Sequence, residues 1–158
     1  MKCPSCMHEE TRVVDSRYAE GEFAIRRRRE CSKCGYRFTT FERVEIGNLT
    51  VVKKDGRREP YNRSKLERGI ERAAEKRPIP PEAIKELIGK VETELRGMST
   101  SEVSSRQIGN VVMKNLKKLD KVTYIRYASV YKEFEDLDSL EEELRKLLRR
   151  KKTTSEGN

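Results

Sequence analysis

Cys3, Cys6, Cys31 and Cys34 are the only cysteines in the chain, and they fall into two C-x-x-C pairs. Each pair can turn two thiolates toward one point from a tight knuckle. Two knuckles together make a tetrahedral all-sulfur site, for which one structural Zn²⁺ is the expected occupant and an iron or redox centre the alternative. The polar start carries no signal peptide, and no apolar run approaches the length of a membrane span. The expected compartment is the cytoplasm, where thiols stay reduced and such pairs favour metal over disulfide. Four thiolates fill a structural site, so His8 reads as a surface residue. For the same reason the site lacks the open position that a catalytic zinc needs.

Around this frame Thr11–Asp15, Phe23–Glu30 and Phe38–Glu45 read as short strands, with turns at Gly21 and Gly35. So small a module cannot bury enough surface to fold unaided. Structural zinc contributes about 10–16 kcal/mol in comparable sites, which makes it the expected folding determinant. The predicted form over residues 1–46 is a rubredoxin-like zinc ribbon. Between the knuckles lies Arg26-Arg27-Arg28-Arg29. On a strand these side chains alternate between faces, so two face one partner and two the other side. Arg12, Arg17 and Arg37 could widen the same surface. The planar fork of arginine suits both phosphate and the guanine edge, which makes these seven residues the candidate DNA contacts. The other reading is a solvated charge run neutralised by Glu20, Glu22 and Glu30.

The whole chain is +9, but residues 1–48 hold ten Lys/Arg against eight Asp/Glu. Four thiolates and one Zn²⁺ would bring that part to about zero, so affinity for nucleic acid must come from local clustering of arginines. The remaining +7 lies beyond, much of it in the tail around Arg145 to Lys152.

Composition shifts near Ile46-Gly47-Asn48, which reads as a linker. Leu49–Lys54 and Arg57–Tyr61 flank Asp55-Gly56, which predicts a two-residue type I′ hairpin. Helical signals follow. Ser64-x-x-Glu67 reads as a capping box for a helix carrying Leu66, Ile70 and Ala73 or Ala74 on one face. Pro81 suits the first turn of a second helix bearing Ile84, Leu87, Ile88, Val91 and Leu95, with Gly97 at its stop. A third starts at Ser104 or Ser105, a fourth covers Val122 to Phe134, and a last amphipathic stretch carries Leu140, Leu144, Leu147 and Leu148. Thr153 onward reads as disordered. The expected class is α+β: a small β ribbon joined to a mainly helical domain, 49–139, that opens on a β-hairpin, with 140–158 as a C-terminal helix and basic tail.

Lys53 and Lys54 on the hairpin, with Lys65 on the next helix, could converge on a polyphosphate, although basic hairpins are also common as plain solvated structure. No G-x-x-x-x-G-K-[ST] loop occurs, which excludes a P-loop. Tyr124, Tyr127 and Tyr131 share one helical face, for which core packing and base stacking are both available readings. With one histidine and no G-x-S-x-G, nucleophilic catalysis lacks its parts, and the chain is not expected to be an enzyme.

The N-terminal text Met1-Lys-Cys-Pro-Ser-Cys, Val14-Asp-Ser-Arg17, Ile25-Arg-Arg-Arg-Arg-Glu-Cys31 and Arg37-Phe-Thr-Thr-Phe-Glu-Arg43 resembles the NrdR family, bacterial repressors of ribonucleotide reductase genes. The rest resembles an ATP-cone, through Val51-x-Lys-Lys-Asp-Gly-x-x-Glu59, Lys65-Leu66, Ser105-x-x-Ile-Gly109 and Tyr124-Ile-Arg-Tyr-Ala-Ser-Val-Tyr131. The resemblance implies a zinc ribbon that binds promoter DNA and a cone that binds ATP or dATP, with Mg²⁺, as allosteric ligands. It further implies a nucleotide-dependent homo-oligomer in the cytoplasm, associated with the nucleoid when bound to DNA. Position by position, Lys53, Lys54 and Lys65 would meet phosphates, Glu59 would help place the nucleoside, and Val51 would lie against the base. Tyr124 and Tyr131 occupy the family's aromatic positions. Lys54 stands where arginine is more usual, keeping the charge but losing the bidentate fork. Composition by itself leaves open a ribosome-associated or RNA-binding module and a small phosphohydrolase.

Overall fold

The computed structural model describes residues 1–149 apart from Asn48, Ser99, Glu133 and Glu135. The disorder expected from Thr153 onward falls outside them. The N-terminal part is an antiparallel meander of β1 (Thr11–Ala19), β2 (Ala24–Cys31) and β3 (Arg37–Arg43), hydrogen-bonded in that order. β1 runs four residues past its expected end at Asp15, and its pairing with β2 slips between Val13 and Asp15, leaving Val14 as a bulge. Of the described residues in 1–47, the buried apolar side chains are Cys3, Ala24 and Cys31 alone. The sheet therefore has no hydrophobic core of its own, and its cohesion rests on the cysteine frame and on what it leans against.

The second part opens with β4 (Thr50–Val52) and β5 (Arg58–Pro60). Their turn differs from the expected type I′. Gly56 N–H donates to Lys53 O at 3.0 Å and Lys53 N–H to Arg57 O at 2.8 Å, so the loop is the three residues Lys54, Asp55 and Gly56. Gly56 alone among them has positive φ, at 82°. That is a type I turn closed by a glycine bulge, and Asp55 needs no left-handed backbone. A strand absent from the sequence reading, β6 (Glu102–Ser104), pairs in parallel with β4 and makes the sheet order β5-β4-β6.

The described residues continue in the helices α1 (Arg63–Ala74), α2 (Pro81–Gly97), α3 (Ser105–Leu119), α4 (Lys121–Tyr131) and α5 (Leu137–Arg149). Asn62, not Ser64, caps α1, its side chain accepting from Lys65 N–H at 3.0 Å. Ser104 caps α3 in a full capping box with Gln107. Asp120 ends α3 and caps α4, accepting from Thr123 N–H at 2.7 Å, and Arg77 holds its carboxylate from across the fold at 2.8 and 3.2 Å. The apolar faces of α1 to α4 meet in a core in which Ile70, Ile88, Val91, Val112, Leu116 and Ala128 are fully enclosed. α5 joins through Leu147, which is buried, and through Glu143, which accepts from Tyr124 Oη. No helix among the described residues is long and apolar enough to cross a membrane.

Candidate functional site

Both C-x-x-C knuckles close in the same way. Cys3 O accepts from Met7 N–H at 2.9 Å, Cys31 O accepts from Gly35 N–H at 3.1 Å, and Met7 and Gly35 both take positive φ, at 59° and 69°. The two turns aim four sulfurs at one point. All four Sγ atoms lie within 4.8 Å of one another, and the cross-knuckle pairs Cys3–Cys34 and Cys6–Cys31 are each 3.7 Å apart. Sulfurs bound tetrahedrally about 2.3 Å from a zinc ion would be about 3.8 Å apart, so the donor set fits that ion. A disulfide does not fit, since its sulfurs would be about 2.05 Å apart. His8 lies outside the cluster, its backbone oxygen accepting from Cys3 N–H.

The structure divides the seven candidate arginines unequally. Directly paired residues in an antiparallel sheet share a face. Arg26 pairs with Arg17 and Phe41, Arg28 with Asp15 and Thr39, and Glu30 with Arg12 and Arg37. Arg12, Arg17, Arg26, Arg28 and Arg37 therefore lie on one face, and Arg27 and Arg29 on the other. Within the first group Glu30 holds Arg12 and Arg37 at 2.6 Å each, which drives its carboxyl below the ordinary carboxylate range. Among the described residues Arg28 has no side-chain partner and is exposed. On the opposite face Arg27 pairs with Glu42 at 2.8 Å and Arg29 donates to Thr40 at 3.3 Å. Glu20, which the solvated-run reading assigned to neutralising the arginine run, is engaged elsewhere, buried against Arg43 and Arg63.

In the second part, Glu59 gathers Lys53 and Lys65, two of the three cations that the sequence singled out. Lys53 Nζ lies 3.1 Å from it and Lys65 Nζ 3.2 Å, and these bonds hold its carboxyl below its ordinary value, Lys53 first. Val51, Lys53, Glu59, Lys65 and Tyr131 line one cavity of about 150 Å³ together with Tyr61, Asn62, Ser105 and Ile108. A wider cleft of about 860 Å³ shares Lys53, Ser105 and Tyr131 with it and adds Lys54, Arg57 and Arg106. Tyr131 reaches this wall because its ring lies over Gly109, where a Cβ would overlap it, and its hydroxyl donates to Ser105 O. The Ser105-x-x-Ile-Gly109 motif thus makes room for an aromatic ring. Tyr124 is not brought to the same place. It is buried, bonded to Glu143 on α5 and faced by Lys117 Nζ at 5.7 Å. Tyr61, Asn62 and Ser105 are wall residues that the sequence reading missed. The legible signals were Asn62, a capping residue just before a helical pattern, and Ser105, which stood in the motif without a role.

Comparison with known proteins covers both parts. Residues 1–42 match the family model described as "Transcriptional repressor NrdR-like, N-terminal domain", and residues 49–137 match the model of the ATP cone domain. A protein named transcriptional repressor NrdR from Ligilactobacillus salivarius is 57% identical over 155 residues, spanning 98% of this chain and 99% of its own. Its namesakes in Listeria monocytogenes (strain EGD-e) and an Exiguobacterium species are 53% identical over 152 residues and 50% over 155. They cover 96% and 98% of this chain and 99% and 100% of their own.

Proposed function

This chain belongs to the NrdR family of transcriptional repressors, and on that premise we propose that it binds operator boxes upstream of ribonucleotide reductase genes under the control of ATP and dATP. The observation that carries the DNA half is the sharing of one ribbon face by Arg12, Arg17, Arg26, Arg28 and Arg37. Five guanidiniums against Asp15 and Glu30 leave that face positive even where the ribbon as a whole is near neutral, and their forks can donate in pairs to phosphate or guanine. The zinc that Cys3, Cys6, Cys31 and Cys34 would hold supplies the cross-links that a coreless sheet needs.

The nucleotide half rests on Lys53, Lys65 and Glu59 at the mouth of a cavity backed by Val51 and Tyr131. Incoming phosphates, with Mg²⁺, compete with Glu59 for the two ammonium groups, and Lys54 on the adjoining cleft adds charge. A nucleotide changes DNA binding only through unequal affinity for different assembly states, and a full switch needs about 5.5 kcal/mol of such difference. Nearly neutral ribbons bind weakly one at a time. An oligomer that links two raises the effective concentration of the second and gains about two to four decades in avidity. The geometry of the oligomer is then the quantity that ATP and dATP control.

Footprinting on the reductase promoter of the source organism, with ATP and with dATP at fixed salt, tests this reading. Paired protected sites on one side of the duplex, changing with the nucleotide, are expected. Uniform protection of unrelated DNA, or equal binding to structured RNA, overturns it.

A further inference from the structure

The turn joining β1 to β2 is costly by itself. Glu20, Gly21 and Glu22 all take positive φ, at 57°, 63° and 72°. Two non-glycine residues in that region need support from their surroundings. The support comes from the cone. Phe23 lies across Gly89 in the middle of α2 so closely that a Cβ there would overlap its ring, and a Cβ on Gly21 would overlap the Glu86 side chain. A glycine inside a helix sacrifices stability relative to alanine. At Gly89 the loss makes a notch for an aromatic ring of the ribbon.

Beside the notch runs an unbroken chain of hydrogen bonds. Arg43, at the end of β3, donates to both Glu20 oxygens, at 2.5 and 3.0 Å. Arg63, the first residue of α1, donates to Glu20 at 3.0 Å and to Glu92 of α2 at 2.5 Å. Tyr61 Oη donates to the other Glu92 oxygen at 3.1 Å. Glu20 is 3% exposed and Glu92 6%, so each carboxylate depends on these donors. Tyr61 is also a wall of the Lys53–Glu59–Lys65 cavity.

We infer that Glu20, Phe23, Arg63 and Gly89 form a clasp that sets the orientation of the ribbon on the cone, and that Tyr61 links the clasp to the nucleotide cavity. Arg63 is shared between two carboxylates. When Tyr61 leaves Glu92, that carboxylate draws more heavily on Arg63, and Glu20 loses part of its hold. Occupancy of the cavity thereby becomes a change in how firmly the ribbon is held. The clasp stands on its own geometry; only its link to a ligand rests on the nucleotide reading above.

Amide hydrogen exchange on the full-length, zinc-loaded protein tests both parts. Gly89→Ala should speed exchange across residues 20–25 by about ten-fold while leaving α3 amides and zinc content unchanged, the pattern of local rather than global opening. Its cone should melt no lower than wild type, because alanine is the better helix former. Phe23→Ala should open the same segment, and the two changes together should add little to either alone. Tyr61→Phe keeps the ring but removes the donor, and should also loosen residues 20–25. Wild-type exchange there should change on saturation with ATP or dATP, and that response should be lost in Tyr61→Phe. Unchanged protection in both Gly89→Ala and Phe23→Ala overturns the clasp. A response to bound nucleotide that persists in Tyr61→Phe overturns the link. Calorimetry with ATP and dATP reports separately on the nucleotide reading: if neither binds, that reading fails, while the Gly89→Ala and Phe23→Ala arms still judge the clasp.

Discussion

Arg12 and Arg17 rise from the same face of β1, although an odd separation in a regular strand would send them to opposite faces. The Val14 bulge removes one residue from the alternation, so Arg12 pairs with Glu30 and Arg17 with Arg26, both on the face that carries Arg28. One irregular residue thus assembles a single arginine face from positions that the plain pattern would scatter.

Substitutions on the two faces should then behave differently. Arg28→Ala should weaken operator binding by about ten-fold or more, the effect of one lost base or phosphate contact. Arg29→Ala, on the other face, should stay close to wild type. Titration of labelled operator at two salt concentrations checks this, and the reverse ranking would put the reading surface on the other side of the sheet.

Cys31→Ser should abolish stoichiometric zinc binding, because a buried member of a four-sulfur set is lost and the ribbon has no apolar core to fall back on. The helical part keeps its own core, so its thermal transition should persist. Metal analysis together with circular dichroism reads both effects. Retention of one zinc per chain would show that another residue completes the site.

Lys65→Ala should weaken ATP and dATP by about ten- to a hundred-fold, as expected when a charge-assisted hydrogen bond to phosphate is removed. Ribbon folding and zinc content should not change. Isothermal titration gives the first result, and an affinity equal to wild type would take Lys65 out of the nucleotide site.

Asp120 serves as the cap of α4 and as the partner of Arg77, and its carboxyl is held well below the ordinary carboxylate range, chiefly by the Arg77 hydrogen bonds. Asp120→Ala should cost about 2 kcal/mol, at the upper end for a cap. Asp120→Asn keeps the cap and should cost less. Urea unfolding of the two variants would expose an error if they proved equally destabilised.

Acid should release the ribbon from the cone before the helical core unfolds. Glu20 faces Arg43, Arg63 and Lys85, with Glu86 and Glu92 on the adjoining helix, and the Arg43 hydrogen bond keeps its carboxyl below its ordinary value against the opposing effect of burial. For a depressed acid, the stabilisation is complete above the ordinary carboxylate range and is lost as pH falls through the lowered value. The NMR signals of Gly21 and Phe23 should therefore shift in that acid range in wild type and stay flat in Glu20→Gln. Parallel titration of the two proteins would assign the acid response to another group.

Much of the architecture was legible because it depends on local chemistry. Two C-x-x-C knuckles need only their own turns, and Pro81, Gly97 and the 3.6-residue periods mark helices wherever those helices pack. The misread details share a cause. Asp55-Gly56 suited a two-residue turn, but pairing with β5 put the loop boundary at Lys54. Ser64 and Asn62 were both capping residues, and the path of β5 decided between them. β6 is three residues long and exists because β4 had an open edge beside it.

The residue types that the sequence determined by itself are the paired thiols, the guanidiniums and the lysine ammonium groups, since each declares its chemistry through identity and spacing. Which of them act together was decided by tertiary structure alone. A bulge at Val14 set the arginine face, a missing Cβ at Gly109 admitted Tyr131 to the cavity, and another at Gly89 seated the ribbon on the cone. Each depends on the approach of a segment distant in the chain, and close packing makes such approaches matter to within one methyl group.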